Sequence, residues 1–165
     1  MWVLGVDPGT ATTGYALVAE DVGDELRLGR CGVFETRAGE PMPERLQSIY
    51  DNFSSLIRDT APAVVAVEEL FFSRNVTTAL SVGQARGVVL LAAAQAGLPV
   101  YEYKPAQVKQ ALVGYGAASK AQMQEMVRMM LGLEEAPHPD DAADAVAVAI
   151  CHLHSQRLSQ LINAG

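Results

Sequence analysis

Cysteine is scarce in this chain. The two present, Cys31 and Cys151, lie far apart and match no metal-binding or redox spacing. A cysteine-based metal or redox centre is excluded, and the pair reads as buried thiols in a reducing compartment. No basic segment precedes the first apolar run, so the N-terminus is not read as a signal peptide. The apolar stretch from Val88 to Ala96 is broken by Gln95 and is too short to span a bilayer. These absences predict a soluble, cytoplasmic protein with no membrane association. Low-complexity tracts and internal repeats are also missing. Half the residues are hydrophobic, so 165 residues should form one globular domain with a sizeable core. That domain is taken as 1–158, with an uninformative tail over 159–165.

Positive charge is the other shortage. Twelve Lys and Arg face nineteen Asp and Glu, for a net charge of -7, which argues mildly against a nucleic-acid partner. The distribution argues the other way. Between Leu70 and Leu133 stand Arg74, Arg86, Lys104, Lys109, Lys120 and Arg128 against only Glu102 and Glu125. Local sign matters more than the sum when the ligand is a polyanion. An uneven but ordinary surface would give the same count.

What is present begins with Trp2-Val3-Leu4-Gly5-Val6-Asp7-Pro8-Gly9-Thr10. Its apolar run suits a strand buried on both faces, and Pro8-Gly9 turns the chain into a second run, Thr13 to Val18. Asp7 stands at the mouth of that strand. Either it starts the turn by bonding its own backbone, or its carboxylate is functional; both readings stand here. Leu26 to Phe34 predicts a third strand. Apolar residues spaced three and four apart from Met42 to Ile57 predict an amphipathic helix. Ala63 to Val67 reads as a second central strand, parallel to the first and ending at Glu68-Glu69. A loop with Phe71, Phe72 and Arg74 comes next, and Asn75 caps a helix from Val76 to Ala96. Leu98 to Tyr103 is a strand, and Pro105 to Leu112 a short helix. Ser119-Lys120-Ala121-Gln122 fits a capping box. A last helix opens at Pro139 or Asp140. The pattern predicts an α/β domain with a mixed sheet of about five strands covered on both faces.

Four acids stand out by position. Asp7 and Glu68 end neighbouring central strands, at the edge where open α/β sheets place ligands. Asp141 and Asp144 lie three apart on one face of the last helix, whose small residues let it press against a sheet. Acids at a helix start are also simply favoured by the helix dipole. Converging carboxylates repel by several kcal/mol unless a cation sits between them. All-oxygen sites suit Mg²⁺ or Mn²⁺. Two such ions about 4 Å apart clamp the attacking and leaving oxygens of a phosphodiester.

At these residues the chain resembles the RuvC family of bacterial Holliday junction resolvases. The similarity runs through Gly5-Val6-Asp7-Pro8-Gly9, Gly14-Tyr15, Val67-Glu68-Glu69, Phe71 to Asn75 and Gly83-Gln84-Ala85-Arg86-Gly87. It continues through Gln107-Val108-Lys109-Gln110 and Asp141-Ala142-Ala143-Asp144-Ala145. The resemblance implies an RNase H-like fold and a homodimer on four-way junction DNA. It also implies Mg²⁺-dependent paired nicks in two strands of like polarity, during recombination and repair. A branch-migration complex of RuvA and RuvB is the implied partner. Carried over by position, Asp7, Glu68, Asp141 and Asp144 would be the catalytic, metal-binding acids. Phe71, Arg74, Arg86, Lys109 and Lys120 would contact DNA, with Phe71 stacking on a base at the junction. Glu69 doubles Glu68 and leaves their roles exchangeable. The dimer contact would be the helix from Val76, through Ala85, Val88, Val89 and Ala92.

Three other readings compete. Actin-like ATPases and sugar kinases also open with a strand and an Asp-x-Gly-Thr hairpin that cradles phosphate, but need two lobes. The same fold serves nucleases acting on structured RNA. A junction-binding module without cleavage is the third, and the intact carboxylates argue against it.

Overall fold

A computed structural model describes residues 1–69 and 75–163. The expected five-stranded mixed sheet is present, in the order β3-β2-β1-β4-β5. Its strands are β1 (Trp2–Asp7), β2 (Thr12–Glu20), β3 (Leu26–Glu35), β4 (Val64–Glu68) and β5 (Val100–Tyr103). β1, β2 and β3 pair antiparallel, while β4 is parallel to both β1 and β5. The helices are α1 (Met42–Thr60), α2 (Val76–Gln95), α3 (Pro105–Val113), α4 (Lys120–Met130) and α5 (Asp140–Asn163). α5 continues past residue 158 to Asn163, through residues that sequence patterning leaves as a tail.

Side-chain alternation divides the core in two. Leu4, Val6, Val65 and Val67 face α1 and α2, where Ile49, Phe53, Ala85 and Val89 complete one cluster. Val3, Val64 and Ala66 face α3, α4 and α5 and join Val108, Val127, Val146 and Ile150. The helices thus cover both faces, as the RNase H-like expectation requires. The helix starts form at the residues that predict them. The Asn75 side chain accepts from the Thr77 and Thr78 amides, and Ser119 and Gln122 close a reciprocal capping box.

Two expectations need correction. Cys151 is buried, but Cys31, on β3 beside the open edge of the sheet, is only half-buried. On α2, Ala85, Val89 and Ala92 are 0–3 % exposed and belong to the monomer core, with Val88 half-buried against it. Ala85, Val89 and Ala92 offer no contact surface, and Val88 only part of one. The exposed apolar residues of α2 are instead Val76, Leu80 and Leu91. By length and composition alone α2 is apolar enough to cross a membrane. Its buried stripe packs on the sheet.

Candidate active site

The same alternation that builds the core aims the acids. Val6 and Val67 are register partners and both face α2, so the next residues, Asp7 and Glu68, both turn toward α5. The strands are parallel, so the two carboxylates leave the same end of the sheet. Glu69 lies past the strand end. Its amide donates to the Tyr103 carbonyl at 2.8 Å, and the carboxylates acting on Asp7 are those of Glu68, Asp144 and Asp141. Glu68, not Glu69, is the strand-end acid of this site.

Two glycines bring α5 down onto that edge. A Cβ on Gly5 would lie 2.1 Å from the Ala145 carbonyl oxygen and 2.9 Å from the Ala149 Cβ. A Cβ on Gly14 would lie 2.0 Å from the Asp141 carbonyl oxygen. Gly14 is the register partner of Asp7, so Asp141 is seated directly over the Asp7–Gly14 pair. Asp144 comes one turn later. The small residues of α5 therefore press its acids against the sheet as their size predicts.

The electrostatics register this crowding. Burial, then the charges of Glu68, Asp144 and Asp141, push the Asp7 carboxyl up to about 8, with Lys120 opposing. Burial and Asp144 also raise Glu68, against a hydrogen bond from Asp7 and the cations Lys109 and Lys120. Burial raises Asp144, against Lys120. A cleft of about 220 Å³ opens beside these acids, lined by Glu68, Asp144, Lys109, Lys120, Met123 and others. Lys120 Nζ stands 3.2 Å from Asp140 and 3.4 Å from Asp144. Lys120 and Asp140 are exposed, so their surface pair is weak and Lys120 can turn to a phosphate.

Among the described residues, no three His, Cys, Asp or Glu side chains stand close enough together to hold a metal ion as they lie. The donors still fit a hard divalent cation. They are all carboxylate oxygens, and Asp7 is lifted by burial and then by neighbouring charges, the second of which a cation would offset.

Not every candidate joins the cluster. Arg86 lies on the α2 face, opposite the acids, ion-paired with Glu102 of β5. Glu102 is the register partner of Val67, which fixes that face. Phe71 and Arg74 lie outside the described residues. Two features escape a reading of the sequence. Asp140, paired with Lys120, also accepts from Gln124 Nε2 at 2.9 Å. Only the packing of α4 beside α5 reveals this. The Thr10 hydroxyl donates to the Ser81 carbonyl at 2.9 Å, so it is turned into the protein and not toward a phosphate.

Comparison with known proteins agrees with this geometry. Residues 3–152 match the family model for the crossover junction endodeoxyribonuclease RuvC. A protein so described from Desulfitobacterium hafniense is 60% identical over 158 residues, covering 96% of this chain and 95% of that protein. The RuvC structure from Thermus thermophilus is 43% identical, with a TM-score of 0.89, over 96% of this chain and 97% of that one. T. thermophilus RuvC in complex with Holliday junction substrate is 42% identical, with a TM-score of 0.88, over 96% of each chain. Full-length agreement in both sequence and fold makes this chain a member of the RuvC family of crossover junction endodeoxyribonucleases.

Proposed function

We propose that the chain is a nuclease that resolves Holliday junctions, with Asp7, Glu68, Asp141 and Asp144 as its reaction centre. The supporting observation is the seating of the α5 acids over two strand-end acids, where burial and then the neighbouring charges raise Asp7 to about 8, beside a cleft bearing Lys109 and Lys120. The four carboxylates would hold Mg²⁺, with Mn²⁺ as a substitute, and two ions per site match the chemistry of phosphodiester hydrolysis. When bound, the metal supplies Lewis acidity at the scissile phosphate. Lys109 and Lys120 flank the cleft and meet the DNA backbone, orienting the phosphodiester over the acids. Raised to about 8, Asp7 would be protonated at neutral pH, and a bound cation would favour its carboxylate. A panel of four-way junction, Y-fork, duplex and RNA hairpin, with Mg²⁺, Mn²⁺ or EDTA, tests the reading. Metal-dependent nicking confined to the junction is expected. Equal cutting of duplex or RNA overturns it.

The proton on Asp7 sets a pH dependence. Below about 8 a cation must displace it, so apparent Mg²⁺ affinity should rise as pH rises toward 8 and level off above. Calorimetry at several pH values, in buffers of different ionisation enthalpy, should detect proton release on binding at pH 7 and little at pH 9. A flat affinity between pH 6 and 9 contradicts the assignment.

Paired nicks in strands of like polarity require two such sites, and a C₂ homodimer supplies them. The stripe Val76, Leu80 and Leu91 on α2 is the apolar surface suited to that contact. Leu80→Glu combined with Leu91→Glu, both at exposed positions, should leave the melting temperature within a few degrees and yield a monomer by sedimentation. That monomer should nick one strand per binding event. Wild-type dimerisation by this variant would move the interface elsewhere. A branch-migration complex of RuvA and RuvB remains the partner through which junctions would be delivered.

A further inference from the structure

The turn after Asp7 carries polar groups that the acid cluster does not use. Thr10 is only 5 % exposed, and Thr13 is fully buried. Buried hydroxyls must be bonded, and their partners show what they hold. Thr13 Oγ1 donates to the Gly9 carbonyl at 2.7 Å, closing the turn from within. Thr10 ties it from outside. Its Oγ1 donates to the Ser81 carbonyl of α2 at 2.9 Å and also meets Ser81 Oγ. Its carbonyl accepts from Thr36 Oγ1 at 2.6 Å, and Thr36 in turn accepts from Arg45 Nε at 2.8 Å. One residue of the turn is thus fastened to α2, to the end of β3 and, through Thr36, to α1.

Asp7 is the last residue of β1, at the strand end where Glu68 and, from α5, Asp141 also lie. The strand holds Asp7 on one side only. On its other side the chain enters this turn. We infer that Thr10, through its bonds to Ser81 and Thr36, is a positioning residue that keeps the Asp7 carboxylate in place for a metal ion. Outer partners that orient metal ligands typically change metal affinity by 10–100-fold when removed. The inference rests on the nuclease reading and names the residues that hold its metal-binding acid.

The test uses Mn²⁺ as probe, by calorimetry on the whole protein without DNA, with nicking measured in parallel. Thr10→Val keeps the volume and removes the hydroxyl, and should weaken Mn²⁺ binding about tenfold. Nicking should recover toward wild type at saturating Mn²⁺, because the acids themselves remain. Thr10→Ser restores the hydroxyl and should restore affinity. Ser81→Ala keeps the accepting carbonyl and should stay within about twofold. Leu56→Ala, a core change on α1 that lowers the melting temperature away from the turn, should not alter Mn²⁺ affinity. If Thr10→Val does not fold, Thr36→Val removes the other tie, and weakening of about threefold is expected. Wild-type Mn²⁺ affinity in folded Thr10→Val, or in Thr36→Val where it must stand in, overturns the inference. If the wild-type protein neither binds Mn²⁺ nor nicks a junction, the nuclease reading fails instead.

Discussion

Asp7→Asn should abolish nicking and at the same time stabilise the metal-free protein at high pH. The substitution keeps the shape and removes one charge from the most crowded carboxyl of the cluster. Loss of a metal-holding acid should lower the nicking rate by about 10³-fold or more, which corresponds to roughly 4 kcal/mol of barrier. Junction binding should persist, since the cations that meet the backbone are untouched. The stability effect has a definite sign. The folded-state pKa of Asp7 is raised, from the ordinary 3.8 to about 8, so the native state binds more protons than the unfolded state between these values. Wild-type stability therefore falls as pH rises through that window. The Asn variant lacks this loss, so its advantage in melting temperature should appear as pH rises and be complete above about 8. Added Mg²⁺ should raise the melting temperature of the wild type alone. An Asp7→Asn protein that nicks within tenfold of wild type, or melts with the same pH dependence, would place the centre elsewhere.

Gly14→Ala should be the second most damaging change, although it adds one methyl and removes no functional group. The new Cβ would sit 2.0 Å from the Asp141 carbonyl oxygen and 2.5 Å from its carbonyl carbon. Both are backbone atoms and cannot rotate away, so the first turn of α5 must lift from β2. Overpacking of this kind costs about 1–3 kcal/mol. Activity should suffer more, by about 10²-fold, because an ångström of misplacement at a reacting centre is enough for that. Gly39→Ala is the control, with nothing within 4 Å of its Cβ, and should be silent. Thermal melting and a junction nicking assay on both variants would decide. Wild-type nicking by Gly14→Ala would show that α5 need not touch the sheet there.

How much of this is legible in the sequence depends on whether a residue's neighbours are local. β1 and β4 are short apolar runs ended by acids, and their parallel pairing is dictated by the helix between them. Asp7 and Glu68 can therefore be placed at one edge before any coordinates. The capping box at Ser119 and the cap at Asn75 involve residues two and three apart, and both form as expected. α2 is less legible because it is apolar all round. With no 3.6-residue stripe, only the sheet beneath decides that Ala85 and Val89 are core while Leu80 and Leu91 are surface. Arg86 counts with the cations of its span, but a count along the chain has no face. The register of β4 with β5 puts its partner Glu102 on the side away from the acids. Gly14 stands in the matched motif, yet its closeness to Asp141 belongs to two segments joined only by folding. Phe71 and Arg74 lie outside the described residues, so their stacking and phosphate roles rest on the resemblance.

The descent of α5 onto β1 and β2 also orders events during synthesis. The first acid of the cluster is made almost at once and the last pair only near the end of the chain. Until α5 arrives, Val3, Ala16 and Val18 lack their cover, and the half-formed edge offers Asp7 and Glu68 alone. Two carboxylates without Asp141 and Asp144 hold a divalent ion weakly. On the proposed reading, a chain that ended before α5 would lack half of the acids that cutting needs. The helix that completes the core over β1 and β2 would then also complete the acid cluster.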